Sequence, residues 1–286
     1  MKTILPISIL FLLANNAWGI DLQPGEIVAP QADKSFVQVS YVYNKYNGQY
    51  KDSIKQAGDF RYNTPQELVR VAHSFQLAEM PAIIYAQASH SKIDLKGDFS
   101  GYKEVSGIGD TSFLLAVWPY ANRETNTFFG IGAYLTTPTG SYDNNRVFNL
   151  GENRFKYALQ AGYQTPLMES IDLMAAIDGV VYGDNKSYGS NKQKLSQENL
   201  YTAQLGIRYK LNPEYHFGFN LYHTEGGNQE IDDISTNNGI VLNRYQFTVT
   251  RNFSSGRLTL QYGQDLDTRN GIKEESRSII RYTIAF

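Results

Sequence analysis

The sequence predicts an all-β protein, a transmembrane antiparallel up-and-down β-barrel of the outer-membrane type with about 12 strands. Three observations predict this fold. Apolar and polar side chains alternate along many segments, the 286-residue chain contains 21 Tyr and 15 Phe but no Cys, and an apolar stretch near the N terminus is typical of a secretory signal. Successive side chains of a strand point to opposite faces, so each alternating segment has one apolar and one polar face.

The first segment predicts export. An apolar run occupies residues 4–13 and small residues precede a cleavage point after Gly19. The run falls short of the roughly 20 residues that a membrane-spanning helix needs. We therefore expect a signal peptide over residues 1–19, cleaved after Gly19. Residues 20–34 then form either a periplasmic N-terminal tail or a plug inside the lumen, and residues 35–286 form the transmembrane barrel.

The clearest strand is 200–211, where Tyr201, Leu205 and Ile207 share one face and Gln204 and Arg208 share the other. Segments with this alternation number twelve in the sequence, which is an even count as bacterial barrels require. They are 35–44, 67–77, 81–93, 107–118, 126–137, 154–165, 169–183, 200–211, 213–224, 239–253, 256–264 and 276–286.

The connections alternate between long and short, with a long one first. A barrel with both termini in the periplasm has short periplasmic turns and long extracellular loops. The predicted long connections are 45–66, 94–106, 138–153, 184–198, 225–238 and 265–275. Strand count, connection lengths and a descending final strand all agree with one topology.

Closure follows from the membrane, because lipid offers no partner for the backbone groups of an open sheet edge. A water-soluble sandwich with a dry core is the alternative for amphipathic strands. The barrel is favoured because polar faces carry Arg, Lys and Gln, which suit a hydrated lumen, and because tyrosines lie near strand ends, as an interfacial girdle requires. These tyrosines are Tyr41, Tyr43, Tyr163, Tyr201 and Tyr209.

The alternation also predicts which side chains line the lumen. The predicted lining residues carry both signs of charge: they pair across a narrow lumen, set the electric field along a solute path, or do both. A barrel of this size is wider than the eight-stranded type that side chains fill. The predicted set is Arg70, Gln76, Lys156, Gln160, Gln164, Asp172, Asp178, Gln204, Arg208, Lys210, Gln261 and Arg281.

Composition and motifs argue against other classes. Charge is nearly balanced, with 26 Lys+Arg against 28 Asp+Glu, which excludes nucleic acid as a partner. The histidines His73, His90, His216 and His223 lie on different predicted strands without a metal-ligand or nucleophile motif. We expect no enzyme activity, no cofactor and no metal, although a site assembled across strands would be hidden from this reasoning. The pair Glu274–Glu275, in the sixth predicted loop, is interpreted as solvated.

The chain ends on Phe286, with apolar residues at alternate positions before it. This ending resembles the C-terminal signal of bacterial outer-membrane barrels. It implies recognition by the barrel assembly machinery and residence in the outer membrane of a Gram-negative bacterium, in contact with lipid and lipopolysaccharide.

Three stretches at strand–loop boundaries, residues 106–110, 133–142 and 149–154, resemble the outer-membrane proteins grouped under the meta-pathway of phenol degradation. The matching motif residues are Gly107, Gly109, Asp110, Pro138, Gly140, Gly151 and Asn153. The resemblance extends over residues 21–286. It implies a passive channel for small, hydrophobic or aromatic solutes. The alternative is a surface or structural protein that acts through its extracellular loops.

The motif residues also have structural interpretations. Gly107 and Gly109 suit a bulge or a close backbone approach in a curved wall. Asp110 is expected to line the lumen or to cap turn amides. Pro138 lacks an N–H group and should end ladder pairing where the third long loop leaves the barrel.

Overall fold

Twelve long strands form one antiparallel barrel in the computed structural model, which describes residues 20–286. This confirms the predicted fold class, whereas the predicted signal peptide, 1–19, lies outside the described residues. The strands are β1 Lys34–Lys51, β2 Phe60–Leu77, β3 Met80–Gly97, β4 Thr111–Asn122, β5 Thr127–Thr137, β6 Lys156–Met168, β7 Ile171–Tyr182, β8 Leu200–Lys210, β9 Tyr215–Gly226, β10 Ile240–Phe253, β11 Gly256–Thr268 and β12 Gly271–Ala285.

Each barrel strand pairs with its neighbours in the chain, and β1 closes the sheet by pairing with β12. The closing register runs from Phe36 opposite Ala285 to Tyr50 opposite Gly271. Closure satisfies the backbone groups that an open edge would expose to lipid.

The distribution of polarity is inverted relative to a water-soluble protein. Outward side chains such as Leu159 and Ile177 are 66% and 64% exposed, while the inward side chains Gln160, Asn220 and Gln246 are buried. A soluble sandwich would bury the first group and expose the second. The apolar outer surface therefore faces lipid. Tyrosines lie on it, as expected for an interfacial girdle, among them Tyr41, Tyr163, Tyr201 and Tyr209. The described residues contain no helix that is both long and apolar enough to cross a membrane.

Two predicted loop lengths are wrong. The first long loop was expected over 45–66, but β1 continues to Lys51 and β2 begins at Phe60. The sixth was expected over 265–275, but β11 ends at Thr268 and β12 begins at Gly271. The apolar alternation stops where the strands leave the membrane, whereas backbone pairing needs no apolar face and continues beyond it.

The remaining long connections lie at one end of the barrel, which is the extracellular end by the usual barrel topology. Loop 2 comprises residues 98–110, loop 3 residues 138–155, loop 4 residues 183–199 and loop 5 residues 227–239. Loops 4 and 5 pair with each other in a small four-stranded sheet of Asn185–Tyr188, Gln193–Gln197, Gln229–Ile231 and Ile234–Ser235. Leu195 of loop 4 lies opposite Ile231 of loop 5, so the two loops form one folded unit.

Candidate functional site

The N-terminal segment of residues 20–33, called the plug below, lies inside the barrel. Its carbonyl oxygens accept hydrogen bonds from inward side chains of β6, β9 and β4. These bonds are Gln160 Nε2 to Ile20 O at 2.6 Å, Asn220 Nδ2 to Leu22 O at 3.1 Å and Trp118 Nε1 to Ile27 O at 2.7 Å. Donors on three separate strands thus hold the plug across the lumen.

Ion pairs fix the plug to the opposite wall. Asp21 pairs with Arg244 of β10 and with Arg277 of β12, the second at 3.1 Å. Glu26 pairs with Arg281 of β12 at 3.0 Å. Breaking a buried pair leaves an uncompensated charge, so these contacts resist displacement of the plug.

Apolar packing completes the seat of the plug. Ile27 packs against Trp118 in a buried cluster. Two inward glycines leave room for the plug: a Cβ on Gly162 would lie 2.9 Å from Ile27 Cδ1, and one on Gly218 would lie 3.0 Å from Pro24 Cβ. Side chains at these two positions would collide with the plug.

The predicted lumen residues occupy inward positions of their strands, and all but one are buried or half-buried. The exception is Gln76, which is exposed near the end of β2. The buried or half-buried residues are Arg70, Lys156, Gln160, Gln164, Asp172, Asp178, Gln204, Arg208, Lys210, Gln261 and Arg281.

Part of this set pairs within itself on β6, β7 and β8. Asp172 accepts from Arg208 Nε and from Lys210 Nζ, both at 2.9 Å. Asp178 accepts from Gln204 Nε2 at 3.0 Å and from Gln160 Nε2 at 3.3 Å. This side of the lumen is therefore bridged and rigid.

A cavity of about 630 Å³ lies beside the plug and is lined by residues of β1–β6 and of β10–β12. Apolar and aromatic side chains line much of it, including Phe36, Ile83, Leu114, Trp118 and Tyr134. A concave apolar cavity with a few polar groups is the usual form of a site for a small molecule.

Three of the motif residues meet at the extracellular end. Asp110 Oδ1 accepts the backbone N–H of Gly140 at 2.8 Å, and Oδ2 accepts that of Glu152 at 2.9 Å. A Cβ on Gly140 would lie 2.8 Å from Gly151 Cα, so the two backbones approach too closely for a side chain. The carboxylate of Asp110 thus caps amides of loop 3. We call Asp110, Gly140, Gly151 and Glu152 the motif cluster.

The other motif residues surround this cluster. Asn153 Nδ2 donates to Asn185 Oδ1 at 2.9 Å, which joins loop 3 to loop 4. Pro138 directly follows the last residue of β5. A Cβ on Gly109 would lie 2.6 Å from Ser89 Oγ, and one on Gly107 would meet the side chain of Ser141.

The pKa values of two carboxyl groups in the motif cluster are shifted in opposite directions. Burial raises the pKa of Asp110 above its ordinary value, against the effect of its two backbone donors. Burial would also raise the pKa of Glu152, but the ion pairs with Lys156 at 2.6 Å and with Arg154 at 2.7 Å outweigh burial and lower it. Glu152 therefore stays ionised to a lower pH than an ordinary glutamate, whereas Asp110 takes up a proton at a higher pH than an ordinary aspartate.

The histidines lie apart from one another. His73 contacts Ser35 on the outer face, and His223 contacts Asn243. Within residues 20–286, no group of three His, Asp or Glu side chains is placed to hold a metal ion.

Two charged partners of the plug, Arg244 and Arg277, are absent from the predicted lumen set. Glu274 was expected in a solvated loop, but it lies on β12 with its side chain 4% exposed and paired with Arg277 at 2.9 Å. The register shifts here, because Lys45 lies opposite Ser276 while Tyr46 lies opposite Glu274. Such a bulge reverses the facing of the strand, so alternation alone could not place this pair.

Comparison with known proteins identifies the fold and the family. The family described as "Putative MetA-pathway of phenol degradation" matches residues 37–282. The crystal structure of an outer-membrane channel from Pseudomonas putida F1 is similar with a TM-score of 0.89 and 29% identity, over 93% of this chain and 100% of that one. The β domain of the Bordetella autotransporter BrkA shares the fold alone, with a TM-score of 0.57 and 10% identity over 90% of this chain and 100% of that one.

None of the curated proteins compared with the chain matches it. The family match covers most of the barrel and confirms the resemblance drawn from the motif residues, and the similarity to an outer-membrane channel confirms an outer-membrane barrel of Gram-negative type. The chain belongs to the family of the MetA pathway of phenol degradation.

Proposed function

We propose that this chain is a passive outer-membrane channel for small, hydrophobic or aromatic solutes. The observation that carries the proposal is the cavity between the plug and the wall, which is lined by Phe36, Leu114 and Trp118. A barrel that only anchored loops would gain nothing from an apolar chamber behind a plug. The similar protein from Pseudomonas putida F1 is itself an outer-membrane channel.

A second space lies above the plug. It measures about 150 Å³, opens toward the motif cluster and is lined by Leu68, Ile93 and Leu150 together with polar groups. A solute enters here, and displacement of the plug joins this space to the larger cavity. Transport then needs no energy source beyond the concentration gradient and no chemical step, so we propose a channel without enzyme activity.

Export and assembly fit the same function. Cleavage after Gly19 makes Ile20 the N terminus of the mature chain, inside the lumen. Ile20 O shares both of its amide donors, Gln160 and Gln204, with the carboxylate of Asp178. A free ammonium group at this position would supply the buried Asp178 with a cation.

The C terminus supports recognition by the assembly machinery. Phe286 is 68% exposed, and its backbone pairs in both directions with Ser35 of β1 at the closing seam. A terminal aromatic ring is thus accessible where the barrel closes. We further propose that the extracellular loops contact lipopolysaccharide.

The test is uptake of radiolabelled toluene by a Gram-negative host that lacks its own channels for aromatic hydrocarbons. The chain has no cysteine, so the pair Pro24→Cys and Gly218→Cys introduces a single possible disulfide. Its Cβ atoms would lie 3.0 Å apart, slightly less than the usual separation of about 3.8 Å. We expect uptake from the unaltered chain, loss of uptake when the pair is oxidised, and recovery on reduction.

The single variant Pro24→Cys is the control for the disulfide, because it cannot cross-link the plug and adds no side chain at Gly218. Equal uptake with and without the folded chain would contradict the channel and would favour the loop-based surface protein. Uptake that persists after the disulfide has formed would show that solutes pass without movement of the plug.

A further inference from the structure

We infer that the cavity binds solutes with an apolar or aromatic body and an anionic head, of which aromatic carboxylates are the simplest. This inference rests on the proposed channel function and narrows its substrate class. It comes from the charges that line the cavity and from the side of the cavity on which they lie.

The cationic residues Arg70, Arg257 and Arg281 lie on one strip of wall, in which neutral side chains stand between Arg70 and Arg257. In the strand registers Arg70 lies opposite Gln38, Gln38 opposite Thr283, and Thr283 opposite Arg257. This row crosses β2, β1, β12 and β11, which are adjacent in the barrel, and all four side chains line the cavity. Arg281 lies at the next inward position of β12.

The lining carries an excess of positive charge. Its cations are Lys34, Arg70, Arg257 and Arg281, and its one carboxylate side chain is that of Glu26. Only Arg281 among these four cations pairs with a carboxylate in the part of the chain that the structure describes, and it pairs with Glu26.

The other cations have neutral partners. Arg70 Nε donates to Gln87 Oε1 at 2.9 Å and its guanidinium lies 4.2 Å from the centre of the Tyr85 ring. Arg257 Nε donates to Asn252 Oδ1 at 2.8 Å. The Nε of Arg281 is buried and has no hydrogen-bond partner among residues 20–286. Arg70 is half-buried and has no anionic partner among residues 20–286, whereas Lys34 and Arg257 are exposed. Partly desolvated positive charge without an anion is unfavourable, so the lining is complementary to an anionic ligand.

The wall that adjoins the strip, on β3 and β4, is apolar. Ile83 of β3 and Leu114 and Trp118 of β4 face the cavity, together with Val28 of the plug. An anionic head at the strip and a ring against Trp118 therefore satisfy both walls at once. A neutral hydrocarbon leaves the guanidinium groups unpaired, and a cationic amine is repelled by them.

A role in holding the plug does not account for the strip. The plug has its own cationic partners in Arg244, Arg277 and Arg281. Arg70 and Arg257 make no ion pair with it in the described residues and face the cavity instead. Substitution of either arginine should therefore affect solute binding while leaving the contacts that hold the plug intact.

The experiment is a fluorescence titration of the purified, folded barrel in detergent. Trp118 lines the cavity and is the only tryptophan in residues 20–286, so its emission reports occupancy. The probes are benzoate, benzyl alcohol and benzylammonium. We expect benzoate to bind about tenfold more tightly than benzyl alcohol, as for one added charged hydrogen-bond pair, and benzylammonium to bind most weakly.

Arg70→Gln and Arg257→Gln should each weaken benzoate about tenfold and leave benzyl alcohol unchanged. The matched control is Arg251→Gln at the end of β10, where the guanidinium lies over the Phe253 and Tyr215 rings and Arg251 does not line the cavity. Heat-modifiable mobility on a gel confirms that each variant is folded.

Equal affinity for benzoate and benzyl alcohol, or benzoate binding that survives both substitutions in folded protein, would overturn the inference. Toluene uptake separates this failure from failure of the channel. Uptake of toluene without a preference for benzoate leaves the channel in place and rejects the anionic substrate class, whereas absence of both rejects the channel as well.

Discussion

Replacement of Asp110 by Ala should open loop 3 without unfolding the barrel. The substitution removes the acceptor of two backbone donors, Gly140 N–H at 2.8 Å and Glu152 N–H at 2.9 Å. A hydrogen bond to a charged group contributes about 1.5–3 kcal/mol, and the site is only partly buried, so we take roughly 2–4 kcal/mol for both bonds together. Barrel pairing is untouched, because Asp110 precedes β4.

The measurement is amide hydrogen exchange of loop 3 in detergent, followed by mass spectrometry. A loss of roughly 2–4 kcal/mol in the free energy of local opening corresponds to exchange about 30 to 1000 times faster at Gly140 and Glu152. Exchange in β6 and β7 should not change, which provides the internal control. Unchanged exchange at both amides would refute the assignment of Asp110 as the group that holds the loop.

Three further results are expected. The lowered pKa of Glu152 stabilises loop 3, and this stabilisation is lost as the pH falls through that pKa. In the unaltered chain the raised pKa of Asp110 acts in the opposite sense, and Asp110→Asn removes that effect. Hydrogen exchange of loop 3, corrected for intrinsic rates, should therefore become more acid-sensitive in Asp110→Asn. Gly162→Leu should displace Ile27 of the plug and raise single-channel ion conductance, and unchanged conductance would contradict the tight fit. Trp118→Phe removes the 2.7 Å bond to Ile27 O, so the plug should become more sensitive to protease, with no change expected if packing alone seats it.

The strand architecture was predictable because each barrel strand encounters two different solvents. Tyr201, Leu205 and Ile207 are exposed on the outside of β8, while Gln204 is buried in the lumen. Apolar and polar residues alternate in the sequence because one face of each strand contacts lipid and the other faces a hydrated, polar interior. The alternation stops where the strands leave the membrane, so the sequence predicts a loop where β1 and β2 in fact continue.

The meeting of the motif residues was not predictable from spacing. Asp110, Gly140 and Gly151 lie on two different loops, and only the folded chain brings the carboxylate to the two amides. Their residue types were still informative, because glycines that allow close approach and an acid that can cap amides are requirements of tight loops.

The plug illustrates a limit of periodicity. Residues 20–33 have neither a helical nor a strand period, because the segment binds the wall through its own backbone carbonyls and two carboxylates rather than through a periodic apolar face. The signal that could have placed the segment lies instead in the wall. Gly162 and Gly218 sit at inward positions of β6 and β9, where a polar side chain would have cost little in an open, hydrated lumen. Glycine weakens a strand, so two of them facing the same lumen indicate that another part of the chain already occupies the space.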